Sequence, residues 1–370
     1  MHNDQITYIA CNQCDTPYPA ENSPYRCPKC GGIFGITEPL PFDPQAIEPD
    51  LPGIWRYRHT FLLPPQAPVT SLGEGQTPLI WIEENGQKVG LKLESMNPTG
   101  SYKDRGTSVL LSHLIQRGAS SCVEDSSGNA GASLAAYTAH FHLPSKIYAP
   151  ATTSEVKLRQ ILLYGSEIIR VPGPRQNAAD EVIKAANDKT VYASHAYQPF
   201  GLPGIATIAY ECWETLKMCP GTVIAPVGHG GLLAGIILGF QSLYDRHIID
   251  RLPYFVGVQP AACAPLVKAF REGPASIQNY VGTSSLAEGT LITKPARLKE
   301  LWQLMEMQNG EFIAIEEEEI LPAYHQLARQ GIWVEPTSVL AWCAYHRLGE
   351  KLPEPIVIIL TGAGYKYQPK

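Results

Sequence analysis

The feature that most constrains the fold is a regular alternation of short apolar runs and helix-like stretches from about residue 76 onward. Helix-like stretches occupy residues 132–140 and 232–240. Runs typical of buried strands occupy residues 122–123, 146–149, 222–227, 255–259 and 356–361. Because parallel strands need crossover connections, which are usually helices, this alternation predicts an α/β protein with parallel sheets.

Bulk composition narrows the classes of protein. With 370 residues, of which 44% are hydrophobic and 17% charged, the chain is long enough for two domains with sizeable buried cores. A net charge of −6 and the lack of a Lys/Arg run argue against nucleic acid as a partner. No apolar run reaches the ~18 residues of a membrane span, and residues 1–10 lack the basic and apolar regions of a secretory signal. We therefore expect a soluble, cytoplasmic protein.

Four of the nine cysteines form a pattern of their own. Cys11 and Cys14 make one Cys-x2-Cys pair, Cys27 and Cys30 make a second, and twelve residues separate the pairs. Each pair suits a tight turn that points two thiolates at one tetrahedral ion, which predicts a zinc-ribbon-like module over residues 1–37. Two disulfides, which are rare in cytosolic proteins, or a ribbon without metal are the alternatives. Because all four ligands would be protein thiolates, we interpret the zinc as structural.

The rest of the chain divides into three predicted parts. Eight prolines fall within residues 39–68, and proline at this density disfavours helix and central strand. Residues 38–75 are therefore interpreted as an extended, proline-rich arm. Residues 76–109 and 205–370 are predicted to form a large domain, and residues 110–204 a smaller, mobile domain.

Residues 97–106 read Asn-Pro-Thr-Gly-Ser-Tyr-Lys-Asp-Arg-Gly and contain the most informative side chain, that of Lys103. The Asn-Pro-Thr-Gly turn stops the preceding segment, Ser101 is a predicted N-cap, and a helix is predicted over residues 107–115. Lys103 would then lie in the first turn of that helix, where the positive end of the helix dipole favours a neutral amine. A neutral amine can form a Schiff base with an aldehyde cofactor. A solvated lysine at a helix start is the alternative.

A second strand-to-helix junction lies at residues 126–133, which read Ser-Ser-Gly-Asn-Ala-Gly-Ala-Ser. Small residues such as Ser126, Ser127 and Gly128 let a ligand approach the backbone N–H groups at the helix start, which favours a carboxylate. The side chain of Asn129 offers an amide to an oxygen of a ligand. Taken alone, the segment is only a strand-to-helix turn.

A third junction, residues 226–235, follows a predicted strand with the sequence Pro-Val-Gly-His-Gly-Gly-Leu-Leu-Ala-Gly. Backbone N–H groups at this helix start could surround a phosphate. They belong to Gly228, His229, Gly230, Gly231 and Leu232. The glycine spacing fits neither the dinucleotide-binding fingerprint nor a Walker loop, which disfavours nucleotide binding. We interpret His229 as a loop residue that supplies its N–H rather than as a catalytic base.

A fourth segment, Leu-Thr-Gly-Ala-Gly at residues 360–364, directly follows an apolar strand. Thr361 would stand at the carboxyl end of that strand, where ligands bind in open α/β sheets; a simple turn is the alternative. An amine, an asparagine, a phosphate-binding loop and a hydroxyl together match the needs of pyridoxal phosphate. Lys103 would hold the aldehyde, Asn129 the ring oxygen, and the glycine loop the phosphate. Thr361 would meet the ring nitrogen, where a neutral hydroxyl suits elimination and replacement chemistry.

The chain resembles the threonine synthases of the tryptophan-synthase-β group, the fold type II pyridoxal-phosphate enzymes. The resemblance is carried by residues 53–58 (Gly-Ile-Trp-Arg-Tyr-Arg), residues 71–79 (Ser-Leu-Gly-Glu-Gly-Gln-Thr-Pro-Leu) and the four segments above, and it covers nearly the whole chain. It implies two α/β domains with the cofactor in the cleft between them, a homodimer, and an N-terminal cysteine module that some such synthases carry. In this interpretation Glu335 lies near the cofactor; an acid that only ends a strand is the alternative. Glu288 is either a wall of the site or a helix-starting acid.

One segment departs from the threonine synthase pattern. Those enzymes generally have a stretch resembling Asn-Pro-Tyr-Arg-x-Glu-Gly-x-Lys-Thr, whose arginine grips the phosphate of O-phosphohomoserine. The matching residues 198–207 carry Gly201 in place of that arginine and Ala206 in place of the lysine. A lost charge-assisted contact costs on the order of 2 to 5 kcal/mol. Other cations that could serve the phosphate are Lys157, Arg159 and Arg175.

Three functions remain open. The first is a threonine synthase, which eliminates phosphate from O-phosphohomoserine and then adds water. The second is a β-elimination or β-replacement enzyme that acts on serine, threonine or an O-substituted serine. Both would use Lys103 as cofactor lysine and base, and residues 126–129 for the carboxylate of a small amino-acid substrate. The third, a noncatalytic cofactor-binding or zinc-ribbon interaction protein, is disfavoured by the intact lysine and glycine loop.

Overall fold

The structure is a computed structural model that describes residues 8–307 and 310–367. Residues 1–7 of the predicted cysteine module therefore lie outside the described part. The chain forms two compact units, each built from two separate stretches of sequence. The first unit comprises Met1–Glu74 and Lys103–Ile205, and the second comprises Gly75–Tyr102 and Ala206–Lys370.

Strands and helices alternate along most of the described chain, with short 3₁₀ segments between them. The strands are β1 (Ile9–Cys11), β2 (Phe34–Ile36), β3 (Leu79–Glu84), β4 (Gln87–Lys92), β5 (Ser121–Glu124), β6 (Ser145–Pro150), β7 (Glu167–Val171), β8 (Thr190–Tyr192), β9 (Thr222–Pro226), β10 (Tyr254–Pro260), β11 (Glu311–Ile315) and β12 (Ile356–Ile359). The helices are α1 (Lys103–Gln116), α2 (Asn129–His140), α3 (Glu155–Leu163), α4 (Arg175–Ala185), α5 (Leu202–Leu216), α6 (Gly231–Asp245), α7 (Pro265–Glu272), α8 (Leu298–Met307), α9 (Glu317–Arg329) and α10 (Pro336–Leu348).

The second unit contains a six-stranded sheet in the order β11-β10-β9-β12-β4-β3. Its strands pair in parallel except at the edge, where β3 is antiparallel to β4. Helices α9 and α10 bury apolar side chains such as Leu327 and Trp342 in a core shared with this sheet. Ile356 pairs with Thr222, so the carboxyl ends of β9 and β12 meet at one edge of the sheet.

The first unit contains a four-stranded parallel sheet in the order β7-β6-β5-β8. Ser121 of β5 pairs with Thr190 of β8, so these two strands also end at the same edge. A small apolar cluster of Val123, Val182 and Tyr192 packs beside them. The two parallel sheets confirm the predicted α/β class, and each predicted strand is present within one or two residues of its expected bounds.

The cysteine module is a small hairpin in which β1 pairs antiparallel with β2. Tyr18 stacks edge-on against Phe34 inside the module and against Phe200 of the first unit, with ring centroids 4.5 and 4.8 Å apart. The guanidinium of Arg117, the residue after α1, donates to the carbonyl oxygens of Pro19 and Asn22. These contacts attach the module to the body of the first unit.

The proline-rich stretch differs from the extended arm that its composition predicts. Gly53–Thr60 form a 3₁₀ segment that buries Ile54, Trp55 and Tyr57. The Trp55 indole donates to Ser108 Oγ of α1 at 2.8 Å. Residues 53–60 contain no proline, so the backbone can coil there, and the local composition of the flanking residues misled the prediction.

Within residues 8–307 and 310–367, no helix combines the length and the apolar character that a membrane crossing requires.

Candidate active site

Lys103 is the first residue of α1, and its side chain is half-buried. The prediction that Lys103 lies in the first turn of a helix is confirmed, but the prediction of Ser101 as the N-cap is wrong. The helix begins two residues after Ser101, whose buried Oγ has no hydrogen-bond partner among the described residues. Backbone pairing holds this segment instead: Ser101 forms a bridge with Gly362, and Tyr102 N–H donates to Thr361 O at 3.0 Å.

A second lysine, Lys92, is more deeply buried at the end of β4. Its Nζ donates to Thr77 O and to Glu211 Oε2, both at 2.6 Å. Glu211 Oε1 in turn accepts from the N–H of Gln76 at 2.7 Å. An ammonium held in a buried ion pair is committed to its partners and is a poor source of a reactive amine. Lys92 is therefore a poor candidate for a lysine that could hold an aldehyde.

Residues 126–129 connect β5 to the start of α2. Ser126 and Ser127 are half-buried and Gly128 is exposed, so the loop is open to a ligand. The helix start has no side-chain cap hydrogen bond, and its first-turn N–H groups lack intrahelical partners. Gly131 is required here, because a Cβ at that position would lie 1.8 Å from Ser126 O. This arrangement suits a carboxylate at the helix start.

The helices that carry Lys103 and Asn129 are tied together inside the first unit. Ser133 Oγ of α2 donates to Thr107 Oγ1 of α1 at 2.8 Å. Lys103 and Asn129 each precede these residues by four positions, which is about one helical turn. The predicted cofactor lysine and the predicted ring-oxygen ligand therefore begin two helices that pack on each other.

Gly201, which stands where threonine synthases have an arginine, makes a close backbone contact. A Cβ at Gly201 would lie 3.2 Å from Gly106 O, and a Cβ at Gly106 would lie 3.3 Å from Gly201 O. Three residues on, a Cβ at Gly204 would lie 2.1 Å from Arg105 O. The start of α5 thus packs backbone to backbone against α1, which gives the glycine a structural reason.

Of the three alternative cations, Arg175 has a described ion pair beside the loop of residues 126–129. Arg175 opens α4 and places Nη2 3.4 Å from Oδ2 of Asp125, the residue before Ser126. The side chains of Lys157 and Arg159 are exposed on α3. Sequence reasoning could not rank the three, because their order depends on how α3 and α4 pack against the sheet.

The glycine-rich loop follows β9, and its helix α6 begins at Gly231. Gly230 is the N-cap with φ +105°, and a Cβ there would lie 2.6 Å from Leu301 Cδ1. A Cβ at Gly228 would lie 3.0 Å from Gly289 O. The positive φ and the close packing require glycine at Gly230, and the bare backbone leaves N–H groups for an anion at the start of α6. The loop therefore fits a phosphate group.

Arg297 supports the glycine loop, and sequence reasoning missed it. Its backbone N–H donates to His229 O at 3.1 Å, and its Cβ lies 3.1 Å from the position of a Cβ on Gly230. The guanidinium is buried and Nη1 donates to Glu300 Oε2 at 2.6 Å. No local pattern around Arg297 indicated this role, because the contact joins segments almost seventy residues apart in sequence.

Thr361 lies directly beyond β12, at the sheet edge that also carries the glycine loop. Its hydroxyl is buried and donates to Glu335 Oε1 at 3.0 Å. Ser338 Oγ lies 2.9 Å from Thr361 Oγ1 and accepts from the N–H of Gly362 at 3.1 Å. A hydroxyl that donates to a carboxylate keeps its lone pairs for another donor, so Thr361 can accept from a ring N–H. Ser338 is a second residue that sequence reasoning missed.

The two glutamates left open by the sequence differ in their surroundings. Glu335 is the N-cap of α10 and its carboxylate accepts from Thr361. That Glu335 lies near the cofactor stays a prediction. Glu288 opens a 3₁₀ segment, Glu288–Thr290, and its side chain is exposed. The structure thus shows Glu288 as the first residue of a short helical segment.

The four predicted metal ligands lie together in the cysteine module. The thiol sulfurs of Cys11, Cys14, Cys27 and Cys30 all lie within 4.8 Å of one another. Cys11 Sγ is 3.5 Å from Cys30 Sγ, and Cys14 Sγ is 3.7 Å from Cys27 Sγ. These separations are too long for disulfides and match four thiolates around one tetrahedral ion. The cluster could hold a metal ion.

The predicted site residues divide between the two units. The first unit contains Lys103 and residues 126–129, and the second contains the glycine loop and Thr361. Within the second unit, the loop of residues 93–102 also meets this sheet edge, because Ser95 N–H donates to Leu360 O at 3.1 Å. Each unit therefore presents the carboxyl ends of parallel strands with the residue types that the sequence predicted.

The family to which these features belong is shown by comparison with known proteins. The model of the pyridoxal-phosphate dependent enzyme family matches residues 70–362, and the chain belongs to this family. Within it, the threonine synthase of Methanocaldococcus jannaschii is 32% identical, covering 96% of this chain and 92% of that protein. The threonine synthase of Mycobacterium tuberculosis is 33% identical, covering 73% of this chain and 75% of that protein.

Solved structures share the fold. The crystal structure of a T.th. threonine deaminase superposes with a TM-score of 0.68 at 22% identity, covering 79% of this chain and 94% of that chain. A cysteine synthase from Entamoeba histolytica gives a TM-score of 0.66 at 23% identity, covering 79% of this chain and 86% of that chain. The fold type II architecture predicted by resemblance is confirmed.

Proposed function

We propose that this pyridoxal-phosphate dependent enzyme is a threonine synthase, which converts O-phosphohomoserine and water into threonine and phosphate. The observation that carries the proposal is the half-buried Lys103 at the start of α1, in a chain similar to threonine synthases along nearly its whole length. The second lysine near a strand end, Lys92, is held by Glu211 and Thr77, which makes Lys92 a poor alternative.

Each predicted residue has a distinct task in this proposal. Pyridoxal phosphate, when bound, supplies an electron sink for negative charge at the substrate α-carbon. The Lys103 amine would hold the cofactor aldehyde and would serve as the base that accepts and returns the substrate protons. Asn129 would bind the ring oxygen, and Thr361 would bind the ring nitrogen.

Two helix starts would hold the anions. The N–H groups of residues 228–232 bind the cofactor phosphate at the start of α6. The N–H groups of residues 126–129, with the hydroxyl of Ser127, bind the substrate carboxylate at the start of α2. The contacts of Thr361 Oγ1 with Glu335 and Ser338 would hold this hydroxyl in place for the ring nitrogen.

One set of turnover assays tests the proposal. The purified chain, loaded with pyridoxal phosphate, is given O-phosphohomoserine in one assay and L-threonine, L-serine or O-acetylserine in parallel assays. Release of phosphate with formation of threonine is the expected result. An absence of both products, together with ammonia and a keto acid from threonine or serine, would replace the synthase by a lyase. A visible spectrum unchanged by every one of these amino acids would favour a noncatalytic protein.

The second candidate, a β-elimination or β-replacement enzyme, is favoured by one specific observation. Gly201 stands where the phosphate-binding arginine would be, and it packs against the backbone of Gly106. A Cβ at Gly201 would lie 3.2 Å from Gly106 O, so a larger residue there would require a small shift of the backbone at this contact. If the chain is a threonine synthase, Arg175, which lies beside Asp125, is the cation that would replace the missing arginine at the phosphate of O-phosphohomoserine.

Variants at these two positions separate the candidates. If the chain is a threonine synthase that uses Arg175, Arg175→Gln raises the KM for O-phosphohomoserine by about tenfold or more, since a lost charge-assisted bond costs ~1.5–3 kcal/mol. The control is Arg170→Gln, because Arg170 is held by Glu155 at the surface of the first unit. Equal KM values for both variants would remove Arg175 from the proposal, and Gly201→Arg would then be the next variant to assay.

We also propose that the cysteine cluster binds zinc as a structural ion and that the chain is a homodimer. Four thiolates leave no open position for a substrate, so the zinc would stabilise the hairpin rather than take part in catalysis. One zinc ion per chain by elemental analysis supports the first proposal. A mass of two chains by light scattering supports the second, and a mass of one chain would overturn it.

A further inference from the structure

The Thr361 hydroxyl lies in the middle of a chain of hydrogen bonds in the second unit. The backbone N–H of Gly362 donates to Ser338 Oγ at 3.1 Å, and Ser338 Oγ lies 2.9 Å from Thr361 Oγ1. Thr361 Oγ1 donates to Glu335 Oε1 at 3.0 Å. The side chains of Ser338 and Thr361 are buried. The chain thus links a backbone donor to a carboxylate through two hydroxyls.

The direction of each bond in this chain follows from the number of hydrogens. A hydroxyl has one hydrogen to donate and two lone pairs that can accept. Thr361 uses its hydrogen on the Glu335 carboxylate, so Ser338 is the donor in the contact between the two hydroxyls. The other acceptor within reach of Ser338, Gly362 O, is farther away at 3.5 Å. Thr361 Oγ1 therefore has one lone pair left and no hydrogen to donate to a further group.

Glu335 is held firmly against Thr361 and Gly362. Its backbone N–H donates to Gly362 O at 2.9 Å, and a Cβ at Gly362 would lie 2.5 Å from Glu335 Oε1. Only glycine at this position lets the carboxylate lie so close. Glu335 is also the N-cap of α10, where the helix dipole favours a negative charge. Because hydrogen bonds to ionised groups are about twice as strong as those between neutral groups, the carboxylate retains the Thr361 hydrogen against a neutral competitor.

We propose that Glu335 is a positioning residue that makes Thr361 an acceptor only, so that the site selects the cofactor with a proton on its ring nitrogen. The inference rests on the proposed function, in which Thr361 meets the ring nitrogen. A neutral ring nitrogen would turn its lone pair towards that of Thr361 and leave both acceptors unsatisfied. A protonated ring nitrogen donates to Thr361. The nitrogen takes this proton from solvent as the cofactor binds, and Thr361 keeps its own hydrogen.

A proton on the ring nitrogen bears on the class of substrate. A positively charged ring draws electrons from the substrate more strongly than a neutral ring does. Loss of a leaving group from Cβ of an amino acid requires removal of the Cα proton, whereas loss from Cγ requires removal of protons from both Cα and Cβ. The second sequence of steps needs the stronger electron sink. The contact of Glu335 with Thr361 therefore favours a substrate with its leaving group at Cγ, such as O-phosphohomoserine, over an O-substituted serine.

The test is the ¹⁵N NMR signal of the full-length chain loaded with pyridoxal phosphate that carries ¹⁵N in its ring. We expect the unmodified chain to give the signal of a protonated ring nitrogen. In Glu335→Gln, a neutral amide binds the Thr361 hydrogen more weakly, so we expect the signal to shift towards that of a neutral ring nitrogen. In Ser338→Ala, the bond from Thr361 to Glu335 remains, so we expect the signal to stay at the protonated position.

Glu316→Gln is the matched control. Glu316 is likewise a glutamate at the N-cap of a helix of the second unit, α9, and its side chain is exposed. It should leave the ring signal unchanged. A merely structural role of Glu335 would lower the midpoint of thermal unfolding without moving the signal. If Glu335→Gln does not fold, Glu335→Asp takes its place, because it keeps the charge at the helix start, withdraws it from Thr361 and should shift the signal in the same direction.

Two results would overturn the inference. One is a neutral ring nitrogen in the unmodified chain, and the other is a protonated signal that is the same in the folded Glu335 variants. Failure of the proposed function has a different signature, because a chain that forms no visible band with pyridoxal phosphate is not the proposed enzyme, and the inference falls with it. A chain that forms the band and converts O-phosphohomoserine with a neutral ring nitrogen keeps the proposed function and loses the role of Glu335.

Discussion

Two strand-to-helix junctions, one in each unit, have the same backbone design and opposite chemistry. The loop after β5 begins α2 with Ser126, Ser127 and Asn129, whose side chains can donate or accept hydrogen bonds. The loop after β9 begins α6 with glycines and has only backbone N–H groups to offer. Both use a helix start that suits an anion. The first can recognise a particular ligand, whereas the second can hold any group shaped like a phosphate.

Packing enforces the difference. At the second junction, a Cβ on Gly230 would lie 2.6 Å from Leu301, and the backbone has φ +105°. At the first junction, a Cβ on Gly128 would meet only Ser126 Oγ, at 4.0 Å. At the N-cap position, the second junction is thus fixed by its neighbours, whereas the first has room for a side chain at Gly128. In the first turn of α2, however, Gly131 is packed closely against Ser126 O. The four predictions below test this contrast, in order of decreasing effect on the chemistry.

The largest effect should come from Lys103→Ala. Without the amine, the cofactor has no covalent attachment and the substrate proton has no acceptor, so turnover should fall by roughly 10²- to 10⁴-fold. The visible band of the bound cofactor should shift to that of the free aldehyde, while the glycine loop still retains the phosphate. Stopped-flow assays and absorption spectra measure both. Lys184→Ala, a surface lysine paired with Glu181, is the control. Retention of the original band in Lys103→Ala would contradict the assignment.

Gly230→Ala should have the next largest effect. The added methyl group conflicts with Leu301 and the backbone conformation is strained for any L side chain, which together cost about 1–3 kcal/mol of folding free energy. We expect weaker retention of pyridoxal phosphate and a lower midpoint of thermal unfolding. The matched variant at the other junction, Gly128→Ala, should retain cofactor and stability. Equal losses in the two variants would break the comparison.

Ser127→Ala should have a smaller and more selective effect. If the loop of residues 126–129 binds the substrate carboxylate, loss of one hydrogen bond to a charged group costs ~1.5–3 kcal/mol and raises the KM by about tenfold or more. Cofactor binding should be unchanged, as measured by the visible band. Ser154→Ala, at the start of α3, where the serine makes no cap hydrogen bond, is the control. A change in cofactor affinity with an unchanged KM would reassign the loop to the cofactor.

Cys27→Ser should have no effect on the cofactor spectrum. It removes one of four clustered thiols, so we expect loss of bound zinc and a lower midpoint of thermal unfolding. Elemental analysis and calorimetry measure the two changes. A protein purified without metal but with normal stability would show that the hairpin of β1 and β2 needs no ion.

Much of the fold could be predicted because its signals are local. Buried parallel strands appear as continuous apolar runs, and glycine-rich turns mark where each run gives way to a helix. These patterns located β5, β9 and β12 and placed Lys103 in the first turn of α1. The N-cap was missed because Ser101 pairs through its backbone with Gly362, a contact more than 250 residues away in sequence. The 3₁₀ segment at Gly53–Thr60 was missed because the surrounding prolines dominated the composition.

The candidate site shows the same division. Residue type and spacing selected the candidates, which are Lys103, Asn129, the glycine loop, Thr361 and the four cysteines, and their roles stay predictions. The sequence showed that Gly201 departs from the threonine synthase pattern. The structural reason for a glycine, its backbone contact with Gly106, is seen only in the structure. The sequence did not distinguish Arg175 from Lys157 and Arg159, because the distance from Arg175 to Asp125 depends on how α4 packs against the sheet.

The sequence by itself determined the class of this protein, because periodicity, glycine placement and cysteine spacing are patterns of a few residues. They can be recognised without knowledge of the three-dimensional structure. Tertiary structure alone decided which groups support those residues. Each of these contacts joins segments that are 23 to 71 positions apart in sequence. They are the contact of Arg297 with the glycine loop, those of Glu335 and Ser338 with Thr361, and that of Glu124 with His195. Electrostatics and hydrogen bonding depend on distance in space rather than in sequence, so these partners emerge only when the parallel strands bring their carboxyl ends together.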